Sequence, residues 1–207
     1  DVRSRRSAIQ VVVVVPGPPD FSDVRIRREL RNPLPWVREI EIGDEPFDST
    51  LYVTGPMRLV SALLDAEARH LLVKLNAVSL LNIGGGELRA EMFNKRLPYA
   101  LPLLLDLGQR FSQPGDVTRR LARNAHQDPA AGVRLQNLLL LIRESPGNPR
   151  TAKELRKACL DSSPQIRLWA ARELGAEGRD VLGAGWLAPR VLEAGAGDER
   201  RSLRPAP

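Results

Sequence analysis

Between residues 128 and 174 the chain repeats itself. Asp128-Pro129-Ala130-Ala131-Gly132-Val133-Arg134-Leu135 aligns with Asp161-Ser162-Ser163-Pro164-Gln165-Ile166-Arg167-Leu168 at an offset of 33 residues, and Leu141 falls on Leu174. A period near 33 with two helices per unit is the signature of an α-solenoid, whose neighbouring units bury each other's apolar faces. The repeated aspartate is placed to cap the second helix of each unit. Val133, Leu135, Ile166, Leu168 and Leu174 are expected to carry most of the buried contacts between helical pairs. Arg134 and Arg167 are expected to lay their stems across the neighbouring helix and pair with an acid of the adjoining unit.

These residues resemble the HEAT family, and especially its short bacterial, PBS-lyase-type version. Asp161, Pro164, Ile166, Arg167, Ala170, Ala171 and Leu174 follow that family's second helix. Asp128, Val133, Arg134 and Leu141 follow it less completely, because Asn137 and Leu138 stand where alanines are usual. The resemblance covers about residues 116–182. It implies helical repeats that act as scaffolds for protein contacts, with the Asp and Arg in structural roles. Two repeats are too few for a stable solenoid, so the helices at 98–126 are expected to supply the preceding layer. A further unit begins at Ala176–Leu182 and dissolves into a tail rich in glycine, alanine and proline.

Upstream of the repeats the pattern changes. Glu39-Ile40-Glu41-Ile42 alternates polar and apolar residues, which predicts a strand with one buried face. Gly43-Asp44-Glu45-Pro46 is a turn cluster, and Leu51-Tyr52-Val53 reads as a second strand. Met57, Val60, Leu64, Leu71 and Leu75 recur at helical spacing, predicting one amphipathic helix over 56–76. Strand chemistry returns over 78–93, interrupted by Gly84-Gly85-Gly86. That triplet reads as a hairpin turn rather than a phosphate loop, because Glu87 stands where a Walker loop needs lysine. Asp23 is placed to cap a short helix over Val24–Leu30, and Val11–Val15 reads as an added edge strand stopped by Pro16. From residue 98 only helices are expected: 98–111, 117–126 with Asp116 as cap, 130–143, one opened by a Thr151–Glu154 capping box, and 165–174 stopped by Gly175.

The expected fold class is therefore α+β: a strand-helix-strand domain followed by an all-α HEAT-like segment. Residues 1–38 form an irregular lead-in, 39–110 the α+β domain, 111–182 the helical repeats, and 183–207 a disordered or truncated tail. Gly43-Asp44, Phe47-Asp48, Tyr52-Val53, the helix and the glycine hairpin are also similar to an uncharacterised bacterial α+β domain, whose members are often attached to membranes by helices. No activity follows from that similarity.

Several function classes are disfavoured. Only five apolar residues run together at Val11–Val15, too few to span a bilayer. One cysteine, Cys159, allows no internal disulfide, and two histidines, His70 and His126, leave little for a metal site. His126 near Asp128, with Ser112 or Cys159 elsewhere, lacks any motif that would join them into a nucleophilic site. The acidic stretch Glu39, Glu41, Asp44, Glu45 and Asp48 lacks calcium-loop spacing and reads as a solvated face. The formal net charge is +6, with 31 basic against 25 acidic residues, but the excess is spread along the chain. Its densest cluster is Arg25, Arg27, Arg28 and Arg31.

The expectation is a soluble, cytoplasmic, non-enzymatic protein-interaction scaffold with no catalytic, cofactor or metal residues. Its candidate partner-binding residues are Trp169, Arg134, Arg167, Arg156 and Lys157, with Trp186 as a further anchor. The alternative is nucleic-acid binding through the repeat arginines, including Arg150. Because the chain starts at Asp1, it reads as a fragment or processed product, and membrane tethering through a missing upstream segment stays open.

Overall fold

A computed structural model describes residues 8–28, 39–144 and 148–175. The chain divides into two compact units, Asp1–Pro146 and Gly147–Pro207.

The first unit is built on a five-stranded antiparallel sheet. Its strands are β1 (Ala8–Val14), β2 (Arg25–Arg28), β3 (Leu51–Thr54), β4 (Leu80–Gly84) and β5 (Glu87–Phe93), in the spatial order β1-β5-β4-β2-β3. β4 and β5 are joined by Gly85 and Gly86, with φ of 63° and 80°. Two consecutive positive φ angles are what a tight hairpin of the right twist demands, and glycine adopts them without steric cost. The hairpin reading of the triplet therefore stands, and Val11–Val14 does join the sheet edge, paired to β5.

Alternation sorts the faces. Ile26, Val53, Leu81, Ile83, Leu88, Ala90 and Met92 point inward and are buried. Helices α2 (Met57–Leu63), α3 (Ala66–Val78) and α4 (Leu97–Ser112) follow the strands, with α3 against β4 and α4 against β1 and β5. The core also takes in Phe21, which meets Phe111 of α4 edge-on with ring centroids 5.6 Å apart. Burying an aromatic pair of this kind contributes beyond its area. Helices α5 (Val117–Gln127) and α6 (Ala131–Glu144) complete the described part of this unit, α5 packing on α2 and on α6. The second unit contains α7 (Pro149–Ala158) packed on α8 (Pro164–Leu174). Among the described residues no strand follows β5.

Four local expectations are corrected. Residues 25–28 form the interior strand β2, not a helix; its Arg25-Ile26-Arg27 alternation matches a period of two, and both β3 and β4 claim it. Residues 39–42 do alternate, with Ile40 and Ile42 buried, but form no strand. Ile40 N bonds to Val53 O at 2.8 Å, and the Asp48 carboxylate then gathers the amides of Ile42, Gly43 and Asp44 at 2.9–3.0 Å and turns the chain. That turn opens the short helix α1 (Glu45–Asp48). The helix expected over 56–76 is two helices. Asp65 is extended and accepts Ala68 N at 3.0 Å, capping α3 and ending the run from α2. Finally, α7 is capped by Asn148, with Pro149 in the first turn, so Thr151 and Glu154 lie inside the helix and Glu154 bonds Lys157. Ala176–Leu182, the tail 183–207 and Trp186 lie outside the described residues.

Candidate functional site

The 33-residue repeat has an atomic counterpart in the two turns that precede α6 and α8. In the first, Asp128 Oδ1 accepts Ala130 N at 3.0 Å, and Arg134 Nη1 donates to the carbonyls of Asp128 (2.8 Å) and Pro129 (3.1 Å). In the second, Asp161 Oδ1 accepts Ser163 N at 2.7 Å, and Arg167 Nη1 donates to the carbonyls of Asp161 (2.6 Å) and Ser162 (3.0 Å). The three bonds of each turn join equivalent atoms. The aspartates do not cap their helices from the N-cap position, as the sequence suggested. They bond the amide two residues on, an Asx-type turn that leads the chain into the helix. The arginines donate to the first two carbonyls of each turn.

The first turn carries a further cluster. Arg69 of α3 is 3% exposed and grips Asp128 with two bonds of 2.8 Å, Nη1 to Oδ2 and Nη2 to Oδ1. Its Nε reaches Asp44 Oδ2 at 2.6 Å, and Nη1 also reaches Leu64 O at 2.8 Å. Burial by itself would lower the Arg69 pKa; the hydrogen bonds and charges of Asp128 and Asp44 outweigh it and raise it above the ordinary value. This fork ties the 43–48 turn, α3 and the α5–α6 turn together. Beside it the backbones of Gly43 and Gly132 touch: a Cβ on Gly43, whose φ is 88°, would lie 2.5 Å from the Gly132 carbonyl carbon. A Cβ on Gly132 would meet the Gly43 carbonyl. Gly132→Ala is therefore expected to cost about 1–3 kcal/mol by overpacking, read as a lowered urea midpoint; an unchanged midpoint would refute the close approach.

Asp128 is buried in the grip of Arg69, while His126 is exposed at the end of α5, so the sequence pair His126–Asp128 forms no acid–base site. Cys159 is fully buried after α7. Among the described residues no three His, Cys, Asp or Glu side chains are grouped to hold a metal ion, and no helix is long and apolar enough to cross a membrane.

Of the candidate partner-binding residues, Arg134 belongs to the first unit and the others to the second. Arg134 is 6% exposed and Arg167 half-buried, both engaged in their turns. Trp169 is half-buried on α8, Arg156 and Arg150 are exposed on α7, and Lys157 pairs with Glu154 at 2.8 Å. Within the first unit α6 borders an apolar groove of about 410 Å³ whose lining includes Met57, Leu135, Leu139 and Leu140, with Met57 and Leu139 exposed.

Sequence reasoning missed what the sheet does with the Arg25–Arg28 cluster. Strand alternation sends Arg25 and Arg27 to the outward face, and cross-strand pairing brings Arg89 of β5 alongside. The alternation itself was the available signal, and a helical reading concealed it. No protein-family model, curated protein or solved structure matches the chain.

Proposed function

We propose that the chain is a non-enzymatic protein-interaction scaffold, in which α5–α6 and α7–α8 are HEAT-like repeat units presenting helix faces to a protein partner. The observation that supports this reading is the Asp/Arg turn, repeated bond for bond at a 33-residue offset. Such a turn fixes how each helix leaves its loop, so the surface is rigid before a partner arrives and binding loses little entropy to ordering. The apolar groove beside α6 and the half-buried Trp169 are the kind of contacts that anchor protein partners.

The same geometry weakens the alternative, nucleic-acid binding through the repeat arginines. Arg134 and Arg167 spend their Nη1 donors on main-chain carbonyls. Replacing both with Ala should cost about 1–2 kcal/mol apiece through carbonyls left unsatisfied. The test is a titration with random-sequence duplex DNA at low and moderate salt, using the full chain and the double variant. A scaffold binds weakly at most, and the substitution changes stability but not the salt slope. Tight, salt-sensitive binding removed by the double substitution would overturn the scaffold in favour of a phosphate-contacting solenoid.

A further inference from the structure

The outward face of the sheet carries an arginine-lined concavity of about 560 Å³, within the usual size for a small-molecule site. Cross-strand register builds it. Arg27 of β2 lies opposite both Tyr52 of β3 and Asn82 of β4, and Asn82 lies opposite Arg89 of β5. Tyr52, Arg27, Asn82 and Arg89 therefore form one row across four strands. With strands about 4.8 Å apart, Arg27 and Arg89 start about 10 Å from each other with an amide between them. Arg25 enters from the next outward position along β2.

Each arginine is held. The Arg27 guanidinium carbon sits 4.9 Å from the Tyr52 ring centroid, a cation–π contact. Arg25 Nη1 donates to the carbonyls of Ser22 and Val24. Its side chain crosses Gly84, where a Cβ would come within 2.7 Å of Arg25 Cδ, so only glycine leaves it that path. Arg89 Nε donates to Glu87 Oε2 at 2.7 Å. A guanidinium has five N–H donors, and the bonds named here leave donors on all three. The lining holds three arginines and no carboxylate among the described residues; counting Glu87, which pairs with Arg89, the local charge is +2.

We propose that this concavity is a binding site for a small phosphomonoester. A dianionic phosphate balances the local charge, and its oxygens match guanidinium forks and the Asn82 amide. A polynucleotide fits less well. The Tyr52 ring is 2% exposed beneath Arg27 and offers no face for a base. The outward neighbours of Arg89 along β5 are Glu87 and Glu91, which break a phosphate track.

The test is a titration of the full chain with inorganic phosphate and with ribose 5-phosphate, at ionic strength held constant with sodium chloride, followed by ¹H–¹⁵N spectra. Saturable shifts are expected in the Gly84 and Gly85 amides and the arginine Nε–H signals. Binding should be tighter at pH 7.5 than at pH 5.5, because phosphate gains its second charge near pH 6. Arg25→Gln with Arg89→Gln should weaken binding at least about tenfold, a loss of about 1.4 kcal/mol. Arg89→Gln by itself, at a half-exposed position that the fold does not need, should weaken it severalfold. Linear shifts matching a chloride control, or affinity unchanged in both variants, would overturn the site. A single-stranded oligonucleotide that binds at the same residues more tightly than the sugar phosphate, with a steep salt slope, would overturn the small-ligand assignment.

Discussion

Asp128→Ala is expected to destabilise the first unit by about 3–5 kcal/mol, because it leaves the Arg69 guanidinium buried without its main counter-charge. Arg69 has almost no contact with water, and Asp44 is its only other carboxylate partner among the described residues. Stabilities of whole domains are commonly 5–15 kcal/mol, so this one substitution removes a large share. The effect should be cooperative. In a double-mutant cycle Arg69→Met should cost less in the Asp128→Ala background than in the parent, with a coupling of at least about 1 kcal/mol. Hydrogen exchange of the sheet amides reports the first unit, to which the sheet belongs. Additive losses would mean that the two side chains do not depend on each other.

Ile166→Ala should destabilise the second unit by about 2–5 kcal/mol, the usual range for emptying a buried aliphatic site. Ile166 is 1% exposed on α8, as Val133, at the equivalent place on α6, is fully buried. Leu168 is only half-buried, so Leu168→Ala should cost clearly less. Far-ultraviolet circular dichroism during urea titration measures both. A loss below about 0.5 kcal/mol at Ile166, or a larger loss at Leu168, would rotate the buried face of α8 away from the one described. The expectation that five aliphatics share the burial thus narrows: Val133 and Ile166 are buried, while Leu135, Leu168 and Leu174 are half-buried. A helix has one stripe turned fully inward, and neighbouring positions fall on its border.

The helical half was legible because its signals are local. Asp116 caps α5, Gly175 stops α8 with φ of 60°, and the 33-residue offset relates the starts of α6 and α8. The glycine triplet specified its hairpin for the same reason: a two-residue turn needs positive φ wherever it occurs. Where two local signals competed, sequence reading chose badly. Leucines at helical spacing ran through residue 65, but one extended aspartate divided the helix. At Arg25–Arg28 only pairing with β3 and β4 decided for a strand, since four residues of arginine and isoleucine carry little preference of their own.

The candidate sites followed the same division. That Asp128 and Arg134 repeat as Asp161 and Arg167 is written in the sequence. That Arg69, 59 residues away, would grip Asp128 is not, because nothing local distinguishes it from an arginine on a solvated helix face. The sequence also contains Arg25, Arg27, Tyr52, Asn82 and Arg89, but in three separated segments. Only the strand order β5-β4-β2-β3 sets them in one row. Local patterns in a chain fix elements through short-range sterics and hydrogen bonding; which distant side chains meet is fixed by how the buried faces of those elements pack, and that is a property of the whole fold.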